Sequence, residues 1–302
     1  MGDGVGAGLP RIAFVIGTGR CGSTLVHEIL ARHPDNGFVT NLDDKGVRTS
    51  SRLQNQVWRQ LPASVTTKGR FRFAPSEAYR ALEREVGPAL VDPVRDLVAA
   101  DATPWLAERM QGFVARRAAR LRSDVFLHKL TGWSRAGFLH ACFPDATIIE
   151  IVRDPRAVAN SWLQMPWWHG HRGPGEWHFG PLAPEQQDVW ERHARSFPVL
   201  AALAWRLLMD ASDSARAAQP GVPADRWLTV RYEDIVADPR GRIEALLTHL
   251  GLEWTPEFES GFGRYSIESA RTDAFRRDLA AGDLAAMEDA LSGSRAFEEL
   301  YR

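Results

Sequence analysis

The chain has 302 residues, 44% hydrophobic and 25% charged, enough to bury a full core as one large globular domain or one and a half. Its 37 Lys and Arg against 38 Asp and Glu leave a formal net charge of -1, so no global basic field points to nucleic acid, and anion chemistry has to come from local arginine placement. Two cysteines, Cys21 and Cys142, build neither a disulfide framework nor a four-ligand zinc site, the opening MGDGVGAGLP has no basic-then-apolar leader pattern, and no apolar run reaches the ~20 residues that span a bilayer; the expectation is a cytoplasmic protein with no integral membrane segment.

The first strand is predicted at Ile12 to Ile16, followed by the turn GTGRCGST at residues 17 to 24 and the helical pattern LVHEILARH. In GFVTNLDDKG a second strand can end near Asp43 and Asp44. Residues 70 to 122, including PSEAYRALEREVG and TPWLAERMQGFVARRAARL, have amphipathic helical spacing and read as an inserted helical layer with solvated arginines on its outer faces.

Further strands are predicted at Val125 to Leu127 and Thr147 to Val152. The second runs into RDPRAVANSW, where Asp154 suits a helix cap, Pro155 suits the first turn, and Ser161 falls about two turns in. The segment MPWWHGHRGPGEWHFGPL, residues 165 to 182, holds too many Gly and Pro for regular structure and too many aromatics for a disordered linker, so it reads as an ordered lid. A long buried helix interrupted near Pro198 follows, then a strand at Trp227 to Val230 and a helix begun by Asp238 and Pro239.

Short apolar strands leading into helices predict an α/β fold with a parallel β-sheet flanked by helices on both faces. The whole chain, 1–302, is read as a single domain in five stretches: 11–45 around the first turn, the helical insertion 70–122, 123–165 around the second junction, the lid 166–190 and the C-terminal part 227–302. Ligands of open α/β sheets sit beyond the carboxyl ends of the strands, so the two unusual strand-to-helix junctions should face one crevice.

The turn itself admits more than one ligand. Gly17, Gly19 and Gly22 satisfy G-x-G-x-x-G, with Asp43 or Asp44 roughly 20 residues on, as a dinucleotide turn would have it. Gly17 and Gly22 also fit G-x-x-x-x-G-K-[ST], but Ser23 stands at the lysine position, which removes the group that reaches the outer phosphates of ATP. Backbone N–H groups, two hydroxyls and a helix N-terminus remain for a phosphate. Arg20 adds a permanent cation that neither reading uses.

GTGRCGSTL resembles the 5′-phosphate loop of the sulfotransferases that use 3′-phosphoadenosine-5′-phosphosulfate (PAPS), in the variant with arginine where many members have lysine. IVRDPRAVANSW is similar to the same family's 3′-phosphate motif, Arg153 and Ser161 standing eight positions apart. Lys129 in FLHKLTG lies 24 positions before Arg153, close to the family's spacing for a catalytic lysine, and RYEDIVADPRGRIEALLTHLGL resembles its C-terminal signature. These landmarks run from residue 12 to about 252.

The resemblance implies the P-loop NTPase-like sulfotransferase fold, PAPS as sulfonate donor with PAP released, and no metal. It implies that Gly19, Cys21, Gly22, Ser23 and Thr24 hold the 5′-phosphate, that Arg153 and Ser161 hold the 3′-phosphate, that Tyr232 lies near the adenine, and that Arg20 and Lys129 steady charge on the leaving oxygen. Thr131 stands where cytosolic members carry the histidine base, so the base is open among Asp43, Asp44 and Glu28, with His128 reading as structural. Glu233 and Asp234 read as an ion-pairing and capping element.

The aromatic lid suits a sugar or other ring-bearing compound, which gives a small-molecule, glycan or glycolipid hydroxyl, or an amine, as acceptor. The alternative for its Trp167, Trp168 and Trp177 is that they pin the lid to the core, and His169, His171 and His178 lack the cysteine or carboxylate company of a metal site. A kinase-like nucleotide transferase and a PAP(S)-binding regulatory protein without turnover stay open beside the sulfotransferase, and the oligomeric state is unread.

Overall fold

Five strands, β1 (Arg11–Ile16), β2 (Asn36–Phe38), β3 (Val125–Lys129), β4 (Thr147–Val152) and β5 (Trp227–Arg231), form one sheet in the order β2-β3-β1-β4-β5, every pairing parallel. The computed structural model describes residues 10–47, 49–62, 73–218, 221–267 and 272–302. The strands lie where the apolar runs predict them, lengthened by up to two residues, and β2 supplies the strand expected ahead of Asp43.

Side chains alternate across the sheet, and the two faces bury different cores. Ala13, Val15, Leu127, Ile149 and Ile151 point into one, covered by α1 (Ser23–Ala31) and the helices Pro155–Leu163 and Phe197–Ala217. Ile12, Phe14, Ile16, Phe126 and Ile148 point into the other, covered by the helices Tyr79–Glu85, Pro104–Leu121 and Ala136–Cys142. The helical stretch read from residues 70 to 122 is therefore the cover of one face; residues 70–72 lie outside the described residues.

A sheet buried on both sides tolerates a carboxylate only where it is satisfied. Glu150 in β4 meets that condition by accepting from the Ser212 hydroxyl, from Trp227 Nε1 at 3.2 Å and from Thr229 Oγ1 at 2.9 Å.

Some expectations change in detail. The break in the long helix falls between Pro184–Arg192 and Phe197–Ala217, where Ala194 and Arg195 take positive φ; Pro198 opens the second helix, because the missing N–H of proline costs nothing in a first turn. A short helix, Tyr232–Ala237, precedes the expected Pro239–His249. Arg117 is not a solvated arginine: its side chain is 11% exposed, it covers the Phe113 ring at 3.7 Å, and it pairs with Glu85 at 2.8 Å. Hydrogen bonds from Arg117 and Arg116 hold the Glu85 carboxyl down at about 2 against the opposing effect of burial. Among the described residues no helix is long and apolar enough to cross a membrane.

Candidate active site

The order β3-β1-β4 determines what surrounds the glycine-rich turn. Parallel register sets Val15 beside Lys129 and Ile16 beside Glu150, so the carboxyl ends of β3 and β4 flank the turn that leaves β1. Ligands collect at such a point because the chain leaves for opposite sides of the sheet there and opens a crevice.

Within the turn, Gly22 caps α1 with φ 95, and an added Cβ would overlap the Tyr232 ring. Gly17 passes so close to β4 that a Cβ would stand 2.6 Å from the Ile151 carbonyl oxygen. Only glycine allows both, and the closeness lets backbone N–H groups line the crevice. Arg20 has left-handed backbone, φ 56, a conformation that bulky residues adopt only where their surroundings hold it. Cys21 is fully buried, so what it presents to a ligand is backbone.

Two groups of side chains gather on either side of this turn. Arg20 Nε donates to Ser161 Oγ at 2.9 Å, and Arg153 Nη1 donates to the Arg20 carbonyl oxygen at 3.1 Å. The Arg153 guanidinium carbon lies 4.7 Å from the centre of the Tyr232 ring. On the other side Lys129, only 3% exposed, donates from Nζ to Thr24 Oγ1 at 2.7 Å and forms an ion pair with Glu77 at 2.6 Å. Glu233 anchors the arrangement from the first turn of the helix Tyr232–Ala237, accepting from the Asp154 backbone N–H at 3.0 Å and from the Tyr301 hydroxyl at 3.3 Å.

A cavity of about 360 Å³ opens beside the turn. Gly19, Arg20, Ser23 and Thr24 form one wall, Glu77 and Thr131 another, and Trp133, Trp162, Trp168 and Phe179 an aromatic side. Trp162 and Trp168 stack with centroids 5.8 Å apart, and Trp177 Nε1 donates to the Gly180 carbonyl at 2.6 Å. The lid tryptophans pin the lid to the core, as one of the two expectations has it, and they also face the cavity. Trp168 and Trp177 are buried in the core and line the cavity, while Trp167 at its rim is 46% exposed.

The acidic residues singled out from the sequence stand elsewhere. Asp43 closes a capping box with Thr40 and accepts from Ser51 Oγ at 3.0 Å and Gln54 Nε2 at 3.3 Å. Asp44 accepts from the Ala81 backbone N–H at 2.9 Å, at the start of Tyr79–Glu85. Neither lines the cavity, because both carboxylates hold helix ends. Glu28 is buried in α1.

His128 is buried between the Phe113 and Phe126 rings at 5.8 and 6.0 Å, and burial together with Arg117 pushes its imidazole down to about 3. Thr131 lines the cavity and donates its backbone N–H to Tyr79 Oη at 3.1 Å. Among the described residues no group of three His, Cys, Asp or Glu could hold a metal ion.

Glu77 is the carboxylate that the sequence reading missed. It precedes Tyr79–Glu85 in a stretch that reads as helix surface, and nothing local distinguishes it from Glu83 or Glu85. Burial alone would raise its carboxyl, but the charge and hydrogen bond of Lys129 outweigh that effect and hold it below the ordinary carboxylate range.

A parallel sheet with a glycine-rich turn opening a helix at its switch point, flanked by cations from the two neighbouring strands, defines a P-loop-like α/β protein of the group-transfer class. The chain belongs to the sulfotransferase family, whose sequence profile matches residues 12–256. The omega-hydroxy-beta-dihydromenaquinone-9 sulfotransferase Stf3 of Mycobacterium tuberculosis is 29% identical over 143 residues, a match spanning 46% of this chain and only 32% of that protein. Among solved structures, sulfotransferase STF1 from M. tuberculosis H37Rv is 18% identical with a TM-score of 0.53, covering 94% of this chain and 77% of that one. The sulfotransferase domain from the curacin biosynthetic pathway is 16% identical with the same TM-score, covering 94% and 97%. At these identities the structural likeness concerns the fold.

Proposed function

We propose that the protein transfers the sulfonate group of PAPS to a hydroxyl of a small-molecule acceptor and releases PAP. The observation that carries this reading is the direct linkage of two phosphate-type junctions through Arg20, which lines the cavity: Arg20 donates to Ser161 Oγ, and Arg153 donates to the Arg20 carbonyl oxygen. A nucleotide with phosphates at both its 5′ and 3′ positions needs such a pair; a nucleoside triphosphate or a dinucleotide does not.

The residues present fit that donor. Gly19, Cys21, Gly22, Ser23 and Thr24 offer backbone N–H groups, two hydroxyls and the amino end of a nine-residue helix to the 5′-phosphate. Arg153 and Ser161 suit the 3′-phosphate, and the Tyr232 ring against Gly22 suits the adenine. When bound, the donor supplies an activated sulfonate on a bridging oxygen.

Arg20 and Lys129 flank the place where that oxygen would gain charge, and cations fixed there before reaction are the largest expected contribution to rate. Glu77 is assigned as general base in place of Asp43 and Asp44, because of the two carboxylates that line the cavity, Glu77 and Asp92, it is the one paired with Lys129. It takes the acceptor proton as the new S–O bond forms and the bond from sulfur to the bridging oxygen breaks. The name of the Stf3 relative, an enzyme of an omega-hydroxy compound, supports a hydroxyl acceptor.

The test is thermal stabilisation by nucleotides together with radiolabelled sulfate transfer. PAP should raise the Tm well above the effect of AMP, and Arg153→Ala should erase the difference. Equal stabilisation by PAP and AMP would remove the 3′-phosphate assignment, and PAP binding without transfer from PAPS to any hydroxyl compound in a broad panel would remove the catalytic one.

A further inference from the structure

A second cavity, of about 530 Å³, lies directly behind the wall of the first. Asp92, Pro93, Trp177 and His178 line both, so the two spaces share one partition. Pro93, Val94, Pro174, Pro181 and Leu182 make the second space apolar, and among the residues lining it Asp92 alone is an acid or a permanent cation. Val94 is 67% exposed, the most exposed large hydrophobic residue among the described residues.

The partition is built from two segments pressed together. Gly180 takes φ 74 and passes so close to the Val94 carbonyl that a Cβ would overlap it, and His178 Nδ1 lies 3.4 Å from Asp92 Oδ2. Both side chains are exposed, 51% and 65%, so separating them exchanges a solvated contact for hydration at little cost. Three prolines give the second space stiff walls that lose little freedom on binding.

We infer that the acceptor is an amphipathic alcohol, its hydroxyl head in the cavity at Glu77 and Lys129 and its apolar tail lying along Pro93–Val94 and Pro174–Leu182. This rests on the sulfotransferase reading above. The head cavity is charged on one wall and closed by stacked aromatics, whereas the space behind the partition is mostly apolar, its polar side chains being Asp92 and His178 in the partition and Gln187. An exposed apolar groove beside a reactive cavity binds hydrocarbon because its area leaves water with the ligand's, and the tail reaches it where the Asp92–His178 contact separates.

The experiment measures kcat/KM for PAPS-dependent sulfation of straight-chain primary alcohols of increasing length. Each added methylene should raise kcat/KM about twofold to fourfold until the groove is filled, the upper figure being that of a fully buried CH₂. Val94→Asp should flatten that slope and Val94→Leu should keep it. Transfer with no dependence on length, or an unchanged slope in Val94→Asp, would overturn the inference while leaving the sulfotransferase reading intact. No transfer to an alcohol of any length, with transfer to other hydroxyl compounds of a broad panel, would likewise overturn the inference alone, and PAP binding with no transfer to any compound of that panel would overturn the reading on which it rests.

Discussion

Lys129 lies 2.6 Å from the Glu77 carboxylate, with the Thr24 hydroxyl accepting from the same ammonium at 2.7 Å. One cation thus joins the first turn of α1 to a carboxylate on the cavity wall. Lys129→Met should lower kcat by about 10² to 10³, the loss seen when a fixed donor to a developing oxyanion is removed. PAP binding should change far less, which calorimetry on the same variant would show.

The same pair dictates the pH dependence. The folded carboxyl of Glu77 is depressed by Lys129, so its base form persists to lower pH than that of an ordinary carboxylate. The acid limb of kcat/KM should therefore lie lower in the wild type than in Lys129→Met, which removes the cation that depresses it. Glu77→Gln should reduce kcat by about 10² to 10⁴ at all pH values. A Gln variant with wild-type turnover would return the role of base to some other group.

Gly22 and Tyr232 make a steric prediction. Gly22→Ala forces a Cβ into the Tyr232 ring at a φ of 95, at a cost of roughly 1–3 kcal/mol from backbone strain and overpacking together. Urea unfolding should show that loss, and PAP affinity should fall with it. Adding Tyr232→Ala should relieve the overlap but not the backbone strain, so stability recovers in part; additive losses in the double variant would refute the contact.

His128 is a stability prediction with a defined sign. Its folded value of about 3 lies below the ordinary histidine value of 6.5, so between those values the unfolded chain binds the extra proton and stability falls as pH drops. At pH 5 the loss from this residue is roughly 2 kcal/mol. His128→Phe keeps the packing between Phe113 and Phe126 and removes the titration. The difference in urea midpoint between pH 7 and pH 5 should shrink in the variant, and an unchanged difference would show that other groups carry the acid sensitivity.

Features encoded within one strand-turn-helix junction were legible before any folding was considered. GTGRCGST and RDPRAVANS each carry their strand end, turn and cap within about ten consecutive residues, and Asp154 and Pro155 begin their helix as the local rules require. Short continuous apolar runs located four of the strands for the same reason, since a strand of a parallel sheet covered on both faces is apolar at nearly every position. The acidic residues were not legible in this way. Asp43 and Glu77 have the same side-chain chemistry, and no spacing separates them.

The sequence by itself thus determined the parallel α/β plan, the turn that opens α1 and the arginines at two strand ends, because each depends on neighbours in the chain. Only the tertiary structure decided which carboxylate meets Lys129, and it did so by geometry. The helix ends at Thr40 and Ala81 absorb Asp43 and Asp44, and the packing of the segment before Tyr79–Glu85 at the end of β3 sets Glu77 against Lys129, residues far apart in sequence whose opposite charges meet at a largely buried ammonium.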